Sequence, residues 1–319
     1  MEKNLIIFIK VSFYIIKILS ILFLISSLLL IQVFLVKNKQ ILNLNKQINK
    51  LKEKCYSLSD NTNIQIVHLI ITRFLSEKFF GQKIYKDNFI INGIRVMNKY
   101  LLPSLENQSC KSFIWVLMVG KLINITYIEE LLKFNCSFRY KIIYENEIEI
   151  FIKNITKSSD VLITTRIDYD DIIYYDAVND IRKAININKP MLLFGYNRGA
   201  YYFESNGKYY DYYNTDNNGT LAIFTSLICS LKKINGTYNI FNIGAHTHIR
   251  KNLLKNFKSY GIEKISYEPA IFDSGDPKFV YVRQKFSDNY NGTIGVLRIK
   301  KSINFNSSIL FGKKIVLRY

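Results

Sequence analysis

Three carboxylates crowd the segment Arg166-Ile-Asp-Tyr-Asp-Asp171, directly after the apolar, β-branched run 161–165. That run reads as a buried strand, so Asp168, Asp170 and Asp171 stand where the strand ends. In open α/β sheets this edge is where ligands bind. Carboxylates so close together repel one another unless a cation or protons offset the charge. Hard divalent ions such as Mn²⁺ and Mg²⁺ take oxygen ligands, and Mg²⁺ commonly uses one or two carboxylates plus phosphate oxygens. The chemistry suggested is a metal–diphosphate site. The competing reading is an acidic turn capping a following helix, with Asp171 near its N-terminus.

The surrounding motifs bear on that choice. His68-Leu-Ile-Ile-Thr-Arg-Phe74 has the form of an opening strand. Arg95, Leu101-Leu-Pro-Ser-Leu-Glu-Asn-Gln108 and Ser112-Phe-Ile-Trp-Val-Leu117 have the form of a helix–turn–strand unit, and Thr164-Thr-Arg-Ile-Asp-Tyr-Asp-Asp171 is the acidic motif. In their order and separation these segments, within 68–185, resemble the putative rhamnosyltransferase family, nucleotide-sugar glycosyltransferases of the GT-A type. The resemblance implies transfer of a sugar from a nucleotide-diphosphate donor, with Mn²⁺ or Mg²⁺ held by Asp168, Asp170 and Asp171. It places Arg166 beside the diphosphate and puts Thr165 and Arg73 among the donor-binding residues. The chain departs from related enzymes after the second strand. Val119-Gly120-Lys121 stands where many of them carry an aspartate that reads the nucleotide base.

Two further groups are candidates for chemistry. His246 and His248, in Ile243-Gly-Ala-His-Thr-His-Ile249, fall on one face of a strand by their spacing. Many metal-dependent GT-A enzymes complete the ion's coordination with a late histidine, which makes this pair the candidate. His68, inside the opening strand, reads as a satisfied core residue. For an inverting transfer the base is sought among Glu268, Asp273 and Asp276, the last two in Phe272-Asp-Ser-Gly-Asp-Pro277. Acidic loop residues are also common turn formers, and the sequence does not rank the three. Arg283 and Asp288 are further candidates for phosphate or sugar contact.

Positioning these residues requires an alternation of strands and helices. The pattern predicts strands over 64–72, 113–119, 140–144, 161–165 and 191–194. It predicts helices over 88–102, ended by Pro103, over 127–134, 145–152 and 172–187, and again over 221–231. Such alternation argues for a mainly parallel sheet flanked by helices. Between 200 and 213 two aromatic runs flank Asn206-Gly207, a hairpin signal. Its six tyrosines could present faces to a sugar, but sheet packing explains most of them.

The N-terminal part has another character. Residues 18–36 carry no charge and are long enough to cross a hydrocarbon core of about 30 Å, too long for a signal-peptide core. A single transmembrane helix is expected, after a short tail over 1–17. Lys37, Lys39, Lys46, Lys50, Lys52 and Lys54 beyond it outnumber Lys3, Lys10 and Lys17, which favours a cytoplasmic domain. Eight Asn-X-Ser/Thr sequons, at Asn107, Asn124, Asn135, Asn154, Asn218, Asn235, Asn291 and Asn306, favour a lumenal one. The side of the membrane stays open. Ile41, Leu44, Ile48, Leu51, Cys55 and Leu58 follow heptad spacing, which suits a stalk over 37–63 able to pair two chains into a homodimer. A single amphipathic helix on the bilayer surface is the alternative. Four cysteines show neither CxxC nor zinc spacing and read as including buried free thiols.

The net charge of +19 comes from scattered lysines, without a nucleic-acid-binding motif, so no nucleic-acid partner is expected. The reading is an α/β, GT-A-like domain over 64–319, anchored in a membrane, that transfers a sugar to a glycan or glycolipid acceptor. A catalytically inactive carbohydrate-binding or scaffolding protein is the alternative, and three retained metal-competent carboxylates argue against it. A transferase of sugar phosphates or a nucleotide-sugar hydrolase would keep the fold and change the chemistry.

Overall fold

The computed structural model describes Gln32 and residues 64–76, 87–132, 136–196, 198–205, 207–213, 225–234, 238–243, 279–283 and 302–303. The chain divides into two units, Met1–Lys54 and Cys55–Tyr319, and every element below belongs to the second. Among the described residues no helix is long and apolar enough to cross a membrane. The apolar run 18–36 lies outside them apart from Gln32, as does the heptad segment.

A six-stranded sheet forms the frame. Its strands are β1 (Ile66–Arg73), β2 (Ile114–Val119), β3 (Arg139–Tyr144), β4 (Val161–Arg166), β6 (Met191–Gly195) and β9 (Thr225–Ser230), ordered β3-β2-β1-β4-β9-β6. Strands β1 to β4 run parallel, and β9 runs antiparallel between β4 and β6. The sheet is therefore mixed, with one reversed strand in an otherwise parallel set. Helices α1 (Asp87–Lys99), α2 (Leu101–Glu106), α3 (Ile125–Leu132), α4 (Ile148–Ile155) and α5 (Ala177–Lys183) complete the α/β layers. One core joins Ile70, Trp115, Leu117 and Ile163 to Ile94, Met97 and Ile181 of the helices. The other face of the sheet packs Leu69, Ile71, Val116 and Leu162 against Ile148 and Ile152. Around β1, β2 and β4 both faces are covered, so these strands read as nearly continuous apolar runs.

A second sheet, ordered β11-β8-β7-β10-β5, is built from β5 (Ile172–Ile173), β7 (Arg198–Phe203), β8 (Lys208–Tyr213), β10 (Phe279–Arg283) and β11 (Ser302–Ile303). The expected hairpin is its centre: β7 and β8 pair antiparallel, and Gly207 takes φ +64° at the turn, a conformation glycine adopts without steric cost. Tyr201, Tyr202, Tyr209 and Tyr210 pack against other rings. Tyr202 meets Tyr209 at 4.7 Å between ring centroids, and Tyr201 stacks on Tyr281 at 5.1 Å.

Three expectations are corrected. Pro103 does not end a helix: it is the third residue of α2, in a first turn whose N–H groups have no helical partner. Residues 172–187 are not one helix. Ile172 and Ile173 pair with Val280 and Phe279 of β10, and α5 begins only at Ala177, so Asp171 caps no helix. Residues 221–231 contain a strand, because Thr225–Ser230 is buried throughout between β4 and β6. An apolar run buried on both faces has the same pattern as a buried helix. Of the cysteines, Cys229 is a buried free thiol and Cys136 a partly exposed one, whereas Cys110 is disulfide-bonded.

Beneath the carboxyl ends of β1 and β4 lies a buried polar chain. His68 Nε2 is 2.9 Å from Thr165 Oγ1, which is 2.7 Å from Ser226 Oγ, so β1, β4 and β9 are tied together. Burial, and secondarily the charge of Arg182, pushes the His68 pKa down to about 3. His68 is thus neutral in the folded protein while the unfolded chain protonates near 6.5. As pH falls below 6.5 the unfolded state gains a proton that the native state refuses, and stability drops until about pH 3. The expected loss at pH 5 relative to pH 7 is about 2 kcal/mol. Urea unfolding at the two pH values should show this excess in the wild type and not in His68→Gln. Equal pH dependence in both proteins would refute it.

Candidate active site

Two arginines meet at the carboxyl edge of the first sheet because of strand register. Ile71 lies opposite Arg166 in the β1–β4 pairing, and Arg73 follows Ile71 on the same face. A 3₁₀ turn, Ile240–Ile243, docks on that face, with the Ile240 N–H donating to Thr164 Oγ1 at 2.9 Å. It brings the Phe241 ring beneath both guanidinium groups, 4.6 Å from Arg73 Cζ and 5.5 Å from Arg166 Cζ. Cations over an aromatic face are held by its quadrupole. Each arginine also meets a carboxylate: Arg73 Nε is 3.4 Å from Glu145 Oε1, and Arg166 Nη2 is 3.3 Å from Asp168 Oδ1. Burial and then the neighbouring Arg166 lower the Arg73 pKa, while Glu145 and Asp168 act the other way. Arg73 stays charged, as arginine does in proteins.

The acidic motif is a tight turn beyond β4. Ile167 is buried, its N–H bonded to Ile71 O at 3.1 Å, and the Asp171 N–H closes the turn onto Asp168 O at 3.2 Å. Asp168 and Asp170 are partly exposed, and Asp171 is buried. Two devices hold the turn. In front, the Tyr169 ring meets the Phe74 ring edge-on at 5.3 Å. Behind, the Gln108 amide donates to Tyr174 O at 2.7 Å and accepts from the Val178 N–H at 3.1 Å, tying α2 to α5. Leu75, next to Phe74, is buried with φ +53°, a strained backbone for a branched side chain at the point where β1 leaves the site.

The structure thus brings Arg73, Arg166 and Asp168 to one edge, with Asp170 and Asp171 in the same turn. Thr165 is buried, its hydroxyl bonded to His68 and Ser226 on the opposite face of β4. His246, His248, Glu268, Asp273, Asp276 and Asp288 lie outside the described residues. Among the described residues no three His, Cys, Asp or Glu side chains are grouped so as to hold a metal ion. Glu145 and Phe241 escaped the sequence reading. Glu145 stands just past a predicted strand, at the edge where ligands bind, which could have drawn attention to it. Nothing near Phe241 foretells its place.

A cavity of about 510 Å³ lies at the opposite edge of the sheet, lined by Lys153, Lys157, Ser159, Asp160 and Lys232 among others. Its Lys153 and Lys157 stand at the carboxyl end of α4, where the helix dipole itself favours cations. No anion is needed to explain them.

Guanidinium groups and carboxylates thus gather at the carboxyl edge of a mixed α/β sheet, where such folds bind ligands. Residues 80–248, more than half of the chain, match the family described as "Putative rhamnosyl transferase". The chain belongs to that family and is a glycosyltransferase. No curated protein matches it in sequence. Among solved structures it is similar to S. aureus TarS, at 12% identity and TM-score 0.31, covering 68% of this chain and 60% of that one. It is also similar to 4-diphosphocytidyl-2C-methyl-D-erythritol synthase from Anaerococcus prevotii, at 12% identity and TM-score 0.34, covering 80% and 96%. Mouse xyloside xylosyltransferase 1 is similar at 11% identity and TM-score 0.25, covering 42% and 53%.

Proposed function

We propose that the protein transfers a sugar from a nucleotide-diphosphate donor to a glycan or glycolipid acceptor, dependent on Mn²⁺ or Mg²⁺. The observation that carries this reading is the convergence of Arg73 and Arg166 on Phe241 beside Asp168. Two guanidinium groups gathered on one aromatic ring repel each other, an arrangement that a diphosphate relieves. One or two carboxylates of the acidic turn, drawn from Asp168, Asp170 and Asp171, would suit a hard cation that completes its shell with phosphate oxygens. Such an ion, when bound, would neutralise charge on the departing nucleoside diphosphate.

The chain's own residues orient the donor: the arginines hold the diphosphate, and the Phe74–Tyr169 contact fixes the acidic turn. His246 is three residues past Ile243 in the docked 3₁₀ turn. That short link to a turn docked on Thr164 makes His246, with His248, the candidate added ligand. Glu268, Asp273 and Asp276 remain the candidates for the base. Residues 18–36 would anchor the enzyme in a membrane, which suits a membrane-bound acceptor.

The test is release of nucleoside diphosphate by the full chain in detergent, with a panel of nucleotide sugars and Mn²⁺, beside Asp170→Ala/Asp171→Ala. Metal-dependent release from one donor, lost in the variant, is expected. Folded wild-type protein that binds no donor, with or without metal, would sink the reading.

A further inference from the structure

Charges along the carboxyl edge of the first sheet follow a fixed order. Glu145 stands beyond β3, Arg73 at the end of β1, Arg166 at the end of β4, and Asp168 in the turn after it. Consecutive members touch: Glu145 and Arg73 at 3.4 Å, both arginines through the Phe241 ring, Arg166 and Asp168 at 3.3 Å. Arg73 lies beside Met118 in the β1–β2 register, so its guanidinium crosses the end of β2 to reach Glu145. The row reads carboxylate, guanidinium, guanidinium, carboxylates.

Glu145 and Glu147 share a 3₁₀ turn, Glu145–Glu147, yet only one has a structural task. The Tyr144 N–H donates to Glu147 Oε2 at 3.2 Å, closing the turn. Glu145 Oε1 is shielded from solvent and accepts no hydrogen bond from a described residue; its contact is the ion pair with Arg73. The ion pair with Arg73 offsets the desolvation of this oxygen only in part and leaves its hydrogen-bonding capacity unused. Hydroxyl donors at this end of the row would complete it. The end of β2, Val119-Gly120-Lys121, supplies no carboxylate for that task.

We propose that Glu145 accepts the pentose hydroxyls of the donor nucleotide, so that the nucleoside lies over β3 and β2 and its diphosphate over Arg73 and Arg166. The assignment rests on the donor reading above. Carboxylates are apt partners for vicinal sugar hydroxyls, since an ionised oxygen makes the stronger hydrogen bond.

The experiment is calorimetric titration of the full chain in detergent with Mn²⁺. Uridine, guanosine and thymidine diphosphates are screened first, and the tightest is then compared with its 2′,3′-dideoxy counterpart. Wild-type protein should prefer the hydroxylated form by about 10- to 100-fold, the range of one or two charge-assisted hydrogen bonds. Glu145→Ala should bind both forms about equally. Any effect of freeing Arg73 cancels in that ratio, because it acts on the phosphates of both ligands. Glu145→Gln, which keeps the shape and a weaker acceptor, should retain part of the preference and stands in if the alanine variant is unfolded by circular dichroism. Full preference surviving in a folded Glu145 variant, or no preference in the wild type, overturns the assignment and leaves the donor site standing. Absence of any nucleoside diphosphate binding overturns the donor reading itself.

Discussion

Arg166→Ala is expected to lower kcat/KM for sugar transfer by about 10²–10³-fold, the usual cost of removing one preorganised group that stabilises developing charge. Stability should move by no more than about 1 kcal/mol. The two effects separate because of where the guanidinium sits. Its pair with Asp168 at 3.3 Å is partly exposed, and such pairs contribute little. Its repulsion of Arg73, visible in the lowered Arg73 pKa behind the larger effect of burial, is a cost that truncation removes. Arg166→Lys should not rescue the rate, since a point charge cannot reproduce the planar fork that lies over Phe241. Arg73→Ala should resemble Arg166→Ala in rate. Steady-state kinetics and denaturant midpoints decide the matter. Activity within tenfold of wild type, or an unfolded variant, would show that Arg166 is structural and not part of the donor site.

Local pattern revealed the central strands, because β1, β2 and β4 are apolar runs bounded by polar turns and covered on both faces. It also revealed the acidic turn, and it ended the first and fourth strands one residue short of Arg73 and Arg166. It failed where the partner was remote in sequence. Ile172 and Ile173 become a strand only because β10 lies beside them, and Thr225–Ser230 becomes one only because β4 and β6 leave a slot of strand width. The same limit governs the site. Glu145 takes on meaning when β3 is placed two strands from β1, and Phe241 when its 3₁₀ turn docks on Thr164. Register and docking are properties of the assembled sheet, and no sequence signal joins residues 145 and 241 to Arg73 and Arg166.

Gly93→Ala is the second large effect expected, and it acts from outside the site. A Cβ added at Gly93 in α1 would lie 2.5 Å from Cε2 and 2.9 Å from Cζ of Phe74. The Phe74 ring cannot simply retreat: it is almost wholly buried, and it meets Tyr169 of the acidic turn at 5.3 Å. Alanine is the better helix former by about 1 kcal/mol, while forcing an extra carbon into a filled core costs about 1–3 kcal/mol. A net destabilisation of up to about 2 kcal/mol is expected. The loss of activity should exceed what that figure implies, because Tyr169 stands between Asp168 and Asp170, and a displacement near 1 Å at a reacting centre can cost about 10²-fold. Gly93→Ala combined with Phe74→Leu makes room for the methyl group, so the pair should couple favourably by at least about 1 kcal/mol in a double-mutant cycle. It should not restore activity, since the ring that holds Tyr169 is then gone. A Gly93→Ala protein that gains the full helix-propensity increment and keeps its rate would show that Phe74 has slack. The acidic turn would then be held chiefly from behind, by Gln108.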